Sequence, residues 1–289
     1  MTSSYSIAVG TARDYYNSDD ADTFYSTVWG GEDIHIGLYE TPDESIFDAG
    51  RRTVERMADS VHNLDVETRV LDIGAGYGGA ARLLASRYGC PVAALNLSEK
   101  ENERNRQMNR QQGLDDLIDV VDGSFEDLPF SDTRFDLVWS QDAILHSGNR
   151  RKVLEEVARV LVPGGCFVFT DPMQSDDCPP GVLQPILERI HLETLGSPDF
   201  YRQTLTALDM EEISFDTRSE MLATHYARIY DELTVREEEI AQKVSRDYIE
   251  RMKRGLQHWV DGGRNGYLVW GIFLFRKPGG SPQWAASAP

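Results

Sequence analysis

The stretch Val70-Leu-Asp-Ile-Gly-Ala-Gly-Tyr-Gly-Gly79 constrains this chain more than any other. Val70, Leu71 and Ile73 form an apolar run short enough for a buried strand, and Gly74, Gly76, Gly78 and Gly79 follow it. Ala80 to Tyr88 then takes up helical spacing. A Cβ in such a turn would disfavour positive φ and hold a ligand off the main chain. The pattern therefore reads as strand, tight glycine turn and helix N-terminus, the build of a Rossmann-type nucleotide site.

The spacing of Gly74, Gly76 and Gly79 also fits dinucleotide binding. Asp72 separates the two readings. A dinucleotide places its pyrophosphate at the helix N-terminus, where an anion suits the helix dipole. A carboxylate at the strand tip, beside that spot, suits instead a cationic ligand end such as the methionine ammonium of S-adenosylmethionine. The D-x-G-x-G-x-G order resembles the first motif of class I methyltransferases. A glycine turn with no ligand is the remaining alternative.

At 289 residues the chain can bury a full core as one large domain, or as one domain plus an insertion. Its 40% apolar and 10% aromatic content is that of a globular protein. A net charge of −19, from 48 acidic and 29 basic residues, repels nucleic-acid phosphate and anionic membranes, so neither is an expected partner. The only lysines are at 100, 152, 243, 253 and 277; such a surface suits a salt-rich cytoplasm and is also common in ordinary acidic enzymes. Cys90, Cys166 and Cys178 form no CxxC pair and are expected as reduced thiols of a cytoplasmic protein. No signal-peptide pattern opens the chain, and no apolar run approaches the roughly 18 residues of a membrane span. No His/Cys/Glu cluster has metal-ligand spacing, so no metal is expected.

Residues 1–40 turn from polar to aromatic, with Tyr15, Tyr16, Phe24, Tyr25, Trp29 and Tyr39. The run from Trp29 to Gly37 is too glycine-rich for a helix and too aromatic for a free tail. It either folds over the core by its aromatics or serves as a lid on the site. Residues 43–59 have amphipathic helical spacing, with Pro42 and Asp43 as start signals. Pro91 to Leu97 reads as a second buried strand, and Asn96 near its end is placed to hydrogen-bond a ribose diol. Ile118–Val121 makes a third strand leading to Ser124 and Phe125, which either line an adenine pocket or form a plain surface turn.

Arg134–Trp139 is the fourth strand, and its end runs into Asp142 and His146. Four residues apart, these share one face of a helical turn at the crevice mouth. A helix over 150–161 and a fifth strand over 166–170 complete the alternation, which implies right-handed crossovers and a mostly parallel sheet. Helical spacing returns over 182–207, a sixth strand covers 213–215, a long amphipathic helix covers 219–260, and a last strand covers 268–275. The 40-odd residues between the last two strands are expected to form a cap.

Methyl transfer from a sulfonium is an in-line displacement, so positioning and desolvation do most of the work. An amine nucleophile must be neutral when it attacks, and a carboxylate with a histidine can hold the ammonium and take its proton. Asp142 and His146 fit those roles; the alternative is a helix-capping Asp and a packed His. Aromatics of residues 24–29, with Tyr201, Tyr226 and Trp259, can cage a methylated ammonium by cation–π attraction, although plain core packing is the more usual role of any one of them. An amino-acid substrate needs an arginine for its carboxylate, with Arg202, Arg254 and Arg264 as candidates.

Longer runs carry a more specific resemblance. Phe24-Tyr-Ser-Thr-Val-Trp-Gly-Gly-Glu-Asp-Ile-His-Ile-Gly37, Trp139-Ser-Gln-Asp-Ala-Ile-Leu-His-Ser147, Thr170-Asp-Pro-Met173, Gln184-Pro-Ile-Leu187 and Met252-Lys-Arg-Gly-Leu-Gln-His-Trp-Val-Asp-Gly-Gly-Arg264 span nearly the whole chain. In these it resembles the sarcosine/dimethylglycine N-methyltransferases that make glycine betaine. The resemblance implies successive methylation of sarcosine and dimethylglycine with S-adenosylmethionine. It implies the Asp142/His146 pair acting on the substrate amine, as in the related phosphobase enzymes, with Tyr25 completing that site. Asn96 stands where many relatives have an acid.

The expected fold is α/β, a Rossmann-like class I methyltransferase with a seven-stranded, mostly parallel sheet, a helical cap before the last strand and an N-terminal lid. The expected division is 1–42 lid, 43–218 core, 219–265 cap, 266–277 last strand and 278–289 loose tail. The cofactor set is Asp72, Gly74, Gly76, Asn96, Leu97, Ser124, Phe125, Gln141 and Ile34. The catalytic set is His146, Asp142 and Tyr25, and the substrate set is Trp29, Tyr201, Arg202, His225, Tyr226 and Arg254. Rival readings are a methyltransferase for glycine or phosphoethanolamine, a non-catalytic S-adenosylmethionine-binding module, and a nicotinamide dehydrogenase, which Asp72 disfavours.

Overall fold

A computed structural model describes residues 7–29, 31–41 and 43–279. Pro42, expected to start a helix, and residues 280–289 of the tail lie outside them. Helices α1 (Ile7–Tyr16), α2 (Asp19–Val28) and α3 (Ile46–Ser60) come first. Strands and helices then alternate as β1 (Val70–Ile73), α4 (Gly79–Tyr88), β2 (Val92–Asn96), α5 (Glu99–Gln112), β3 (Ile118–Asp122), β4 (Phe135–Gln141), α6 (Arg150–Val160) and β5 (Leu161–Thr170). Next come β6 (Met173–Gln174), α7 (Gln184–Arg189), α8 (Pro198–Ala207) and β7 (Glu211–Thr217). Helices α9 (Ser219–Val235), α10 (Glu237–Ile240) and α11 (Arg246–Arg264) precede β8 (Leu268–Val269) and β9 (Gly271–Arg276).

The main sheet has seven strands in the order β3-β2-β1-β4-β5-β9-β7, and only β9 runs antiparallel to its neighbours. This is the mostly parallel, Rossmann-like sheet expected. Between β1 and β4 the order reverses, and at such a switch point the loops after the strand tips part to leave a crevice. The continuous apolar runs follow from burial on both faces. One face buries Leu71, Ile73, Phe167, Phe169 and Phe273; the other buries Val70, Trp139, Val168 and Ile272.

Residues 7–16 and 19–28, to which the sequence reading assigned no element, are helical, whereas the described residues of the run from Trp29 to Gly37 are not. Ser18 restarts the helix by accepting the Ala21 N–H at 3.2 Å, with acidic residues filling the first turn of α2. α3 starts at Ile46, capped by Ser45 rather than by the Pro42 signal. The single helix expected over 182–207 is two, since Ser197 caps a new start and Pro198 occupies its first turn. The long helix expected over 219–260 is likewise interrupted, and Ser245 caps α11.

α2 packs on this helical cap through one apolar cluster of Phe24, Val28, Trp29, Ile229, Leu233, Tyr248, Ile249, Met252 and Leu256. It is separate from the clusters on the two faces of the sheet. The last strand expected over 268–275 breaks at Trp270, a fully buried residue whose indole N–H reaches the Asp142 carboxylate.

Candidate active site

The parallel register lines up the strand ends at the crevice: Asp72 lies beside Ala94 and Trp139, Asn96 beside Asp122, and Gln141 beside Thr170. A cavity opens there, lined by Ile34, Gly74, Gly76, Asn96, Leu97, Ser124, Phe125 and Gln141, together with Asp142 and His146. Eight of the nine expected cofactor residues are thus brought together. Asp72, the ninth, is buried at the tip of β1 and does not line the cavity. Its Oδ2 has no hydrogen-bond partner among the described residues. Burial pushes its carboxyl up to about 7, with His35 pulling it down and Asp33 adding to the rise.

The glycines make this approach possible. Gly74 has φ +77°, and a Cβ there would collide with the Ala143 side chain. A Cβ on Gly79 would collide with Asp33, whose buried carboxylate lies at the start of α4. The helix N-terminus, where a pyrophosphate would bind, is thus already furnished with an anion from the chain itself. That disfavours the dinucleotide reading independently of Asp72.

Asn96 is not alone at the end of β2. Its Nδ2 donates to Glu101 Oε2 at 2.8 Å, and Glu101 also lines the cavity. Burial drives the Glu101 carboxyl up to about 7, against the lowering by Asn96. The acid missing from the strand tip is therefore supplied from the first turn of α5. Glu101 belongs to none of the residue sets expected from the sequence. The signal was present in its spacing, three residues after the Ser98 cap, which turns it back towards the strand end.

Asp142 and His146 sit where β4 ends. Asp142 has a left-handed backbone, φ +49°, an uncommon conformation for a residue with a side chain. Its Oδ2 accepts the Ile36 N–H at 2.7 Å and its Oδ1 accepts the Trp270 indole N–H at 2.8 Å. Burial raises its carboxyl, opposed by His35 and by these two hydrogen bonds. His146 closes a short turn over Ile144–His146. Burial, reinforced by the charges of Arg150 and Arg189, holds its imidazole down at about 4, so the ring is neutral at pH 7.

Both residues also line a second, inner cavity with Tyr16, Tyr25, Trp29, Tyr226 and Trp259. Tyr226 stacks on Trp259 with centroids 5.0 Å apart, and Tyr25 lies 5.1 Å from Trp29. The two cavities share Tyr16, Ile34, Asp142 and His146. A wider vestibule of about 810 Å³ between α1, the end of α7 and α11 leads in from solvent.

Several expected residues lie elsewhere or make other contacts. Tyr16, not Tyr25, meets the histidine: its hydroxyl is 2.9 Å from His146 Nε2. The Tyr25 hydroxyl lies 3.5 Å from that of Tyr15. Tyr201 is buried under β5 and donates to Asp171 Oδ2 at 2.6 Å. Arg202 pairs with Glu212 at 2.9 Å and lies over the Phe215 and Phe273 rings, far from both cavities in the fold. His225 is fully buried behind Trp29, accepting from Gly37 N–H and meeting the Tyr39 hydroxyl at 2.9 Å. Arg254 reaches only the outer vestibule, and Arg264 lines none of these spaces. Trp270, Glu101 and Arg189 were missed, because their placement depends on the strand break, the cap of α5 and the fold-back of α7.

A methyltransferase-domain model matches residues 71–169, the strand and helix alternation from β1 to β5. A sarcosine/dimethylglycine N-methyltransferase of Halorhodospira halochloris is 63% identical over 270 residues, covering 93% of this chain and 97% of that protein. The chain belongs to the sarcosine/dimethylglycine N-methyltransferase family. Another such enzyme, from Aphanothece halophytica, is 55% identical over 92% of this chain and 96% of its own length. The crystal structure of a candidate sarcosine dimethylglycine methyltransferase from Galdieria sulphuraria superposes with a TM-score of 0.86 at 44% identity, covering 91% of this chain and 99% of that one. A phosphoethanolamine N-methyltransferase of Haemonchus contortus, bound to phosphomonomethylethanolamine and S-adenosylhomocysteine, shares the fold with a TM-score of 0.81 at 17% identity, over 95% of this chain and 61% of that one. The class I methyltransferase fold is thus common to enzymes of different substrates, and within this family the site must say which amine is held.

Proposed function

We propose that this chain is an S-adenosylmethionine-dependent N-methyltransferase that converts sarcosine and dimethylglycine to glycine betaine. The observation that carries the reading is the junction of the two cavities, where Asp142 and His146 belong to both. One cavity has the glycine turn and strand tips of a nucleotide site; the other is small, aromatic and closed by helices.

The residues present fit the cofactor. The unpartnered oxygen of Asp72 suits an ammonium, Asn96 and Glu101 suit a ribose diol, and Ser124 and Phe125 suit an adenine. Gln141 Nε2, also without a partner among the described residues, adds a free donor. S-adenosylmethionine supplies the methyl group as an electrophile on a positively charged sulfur.

The chain's own residues do the rest. Asp142, held rigid from two sides, offers negative charge to the substrate ammonium. Its neighbour His146 is neutral and takes the proton that the amine must lose before attack. Tyr16 holds the imidazole, and the aromatic walls favour a methylated nitrogen while excluding water, each cation–π contact being worth about 0.5–2 kcal/mol. The described residues of 1–42 act as the lid and 219–265 as the cap.

Among the described residues no helix is long and apolar enough to cross a membrane. The acidic surface and unpaired cysteines support a cytoplasmic enzyme of osmoprotection with no nucleic-acid, membrane or metal partner. A mass-spectrometric assay with glycine, sarcosine, dimethylglycine and phosphoethanolamine side by side tests the reading. Betaine formation from the second and third is expected; methylation of phosphoethanolamine alone would overturn it.

A further inference from the structure

An N-methylated glycine is a zwitterion, so a cavity that holds one must answer a carboxylate as well as an ammonium. The inner cavity has Asp142 for the positive end. At the negative end, among the described residues, the one guanidinium lining it is that of Arg189, the last residue of α7. Most arginines of this acidic chain lie against a carboxylate, as Arg202 does against Glu212 and Arg82 against Glu32. Arg189 makes no carboxylate contact among the described residues. It is half-buried, and its Nη2 lies 3.1 Å from Met252 Sδ, a weak acceptor that leaves most of the five donors of the fork unspent.

The opposing helix makes room for it. Gly255 stands in the middle of α11, where glycine costs roughly 1 kcal/mol relative to alanine. A Cβ at that position would run into the Nε and Cδ atoms of Arg189. The glycine therefore lets the Arg189 side chain pack close against α11, where it lines both the inner cavity and the vestibule.

We propose that Arg189 holds the substrate carboxylate and sets the substrate class as N-methylated amino acids. The proposal rests on the methyltransferase reading above and deepens it. One arginine fork matches one carboxylate bidentately, whereas a phosphate dianion would call for further cations that the inner cavity does not offer. The Arg189 position beside the vestibule also lets it meet the carboxylate as the substrate enters.

Steady-state kinetics of Arg189→Met and Arg189→Lys with dimethylglycine and with dimethylaminoethanol, its carboxylate-free analogue, test this. Arg189→Met should raise the KM for dimethylglycine at least tenfold while S-adenosylhomocysteine affinity stays within twofold. Its preference for dimethylglycine over dimethylaminoethanol should collapse, and Arg189→Lys should restore part of it. Gly255→Ala should also raise that KM, and should add nothing in the Arg189→Met background, because both act through one guanidinium. A wild-type KM in Arg189→Met, or an unchanged preference between the two amines, would overturn the assignment. Wild-type protein that methylates neither sarcosine nor dimethylglycine would instead overturn the reading of the whole site.

Discussion

The two cavities are built in opposite ways. The cofactor side is made mostly of strand tips and the loops that follow β1, β2, β3 and β4, with Arg13, Tyr16 and Ile34 added from the N-terminal segment. The amine side is made of helices far apart in the chain: α1 and α2 at one end, α7 in the middle and α11 near the other. A parallel sheet positions its tips by backbone hydrogen bonds alone, whatever the side chains above do. The amine cavity exists only where an apolar cluster from α2 meets one from α9 and α11. The first follows from the sheet; on the function proposed above, the second is where substrate choice is made.

The sharpest way to break this division is to remove a residue that belongs to both sides. His146→Ala should lower kcat by about 100-fold or more, the usual worth of a positioned base. Isothermal titration with S-adenosylhomocysteine should meanwhile give a Kd within about twofold of wild type. A rate near wild type would place the proton elsewhere and leave His146 a wall of the cavity.

Asp72→Asn tests the cofactor side alone. Loss of a charged partner for the ammonium should weaken S-adenosylmethionine binding about 10- to 100-fold, the worth of one charge-assisted hydrogen bond. The effect should depend on pH. Burial lifts the Asp72 carboxyl to about 7 in the free protein, so below that pH it is protonated and must lose its proton before it can pair. Affinity should then rise with pH up to about 7, by as much as tenfold per unit, and level off above it. Asp72→Asn should flatten the profile. A wild-type profile already flat between pH 5.5 and 8 would show that the ammonium is held by another group.

Tyr16→Phe sharpens the amine side at a smaller scale. The ring stays in place while the hydroxyl that meets His146 at 2.9 Å is lost. One neutral hydrogen bond is worth about 0.5–1.5 kcal/mol, so kcat should fall about 3- to 10-fold with cofactor affinity unchanged. Tyr25→Phe, which leaves that contact intact, should change kcat less. The reverse order would return Tyr25 to the role that the sequence reading assigned it.

The same contrast explains what could be read from the sequence. Alternating apolar runs and glycine turns report strands and their tips directly, so the sheet and the strand-tip residues of the cofactor cavity were legible. Helix–helix placement leaves no such local mark. Tyr15, Tyr16 and Tyr25 look alike in sequence, and only the turn at Ser18 between α1 and α2 decides which hydroxyl reaches His146. Glu101 was masked by the polarity of α5, which averages over a helix with both a solvated and a buried face. The arginines were the hardest, because a guanidinium is carried on a long chain and its end is set by what pairs with it.

Arg202 shows this last point and gives the smallest expected effect. It follows Tyr201 in the sequence and was expected beside the substrate, yet a helical step of about 100° turns neighbours to different faces. Tyr201 points into the core towards Asp171, and Arg202 runs along β7 to Glu212. Its ion pair is partly exposed, of a kind worth about 0–1 kcal/mol, and its stacking on Phe215 and Phe273 adds a similar amount. Arg202→Met keeps most of the apolar stem over those rings. The variant should therefore show wild-type KM values for both amines and a melting temperature lower by no more than a few degrees. A raised KM for dimethylglycine would mean that the carboxylate is read from α8 rather than from α7, and would collapse the separation between the two sides of the crevice.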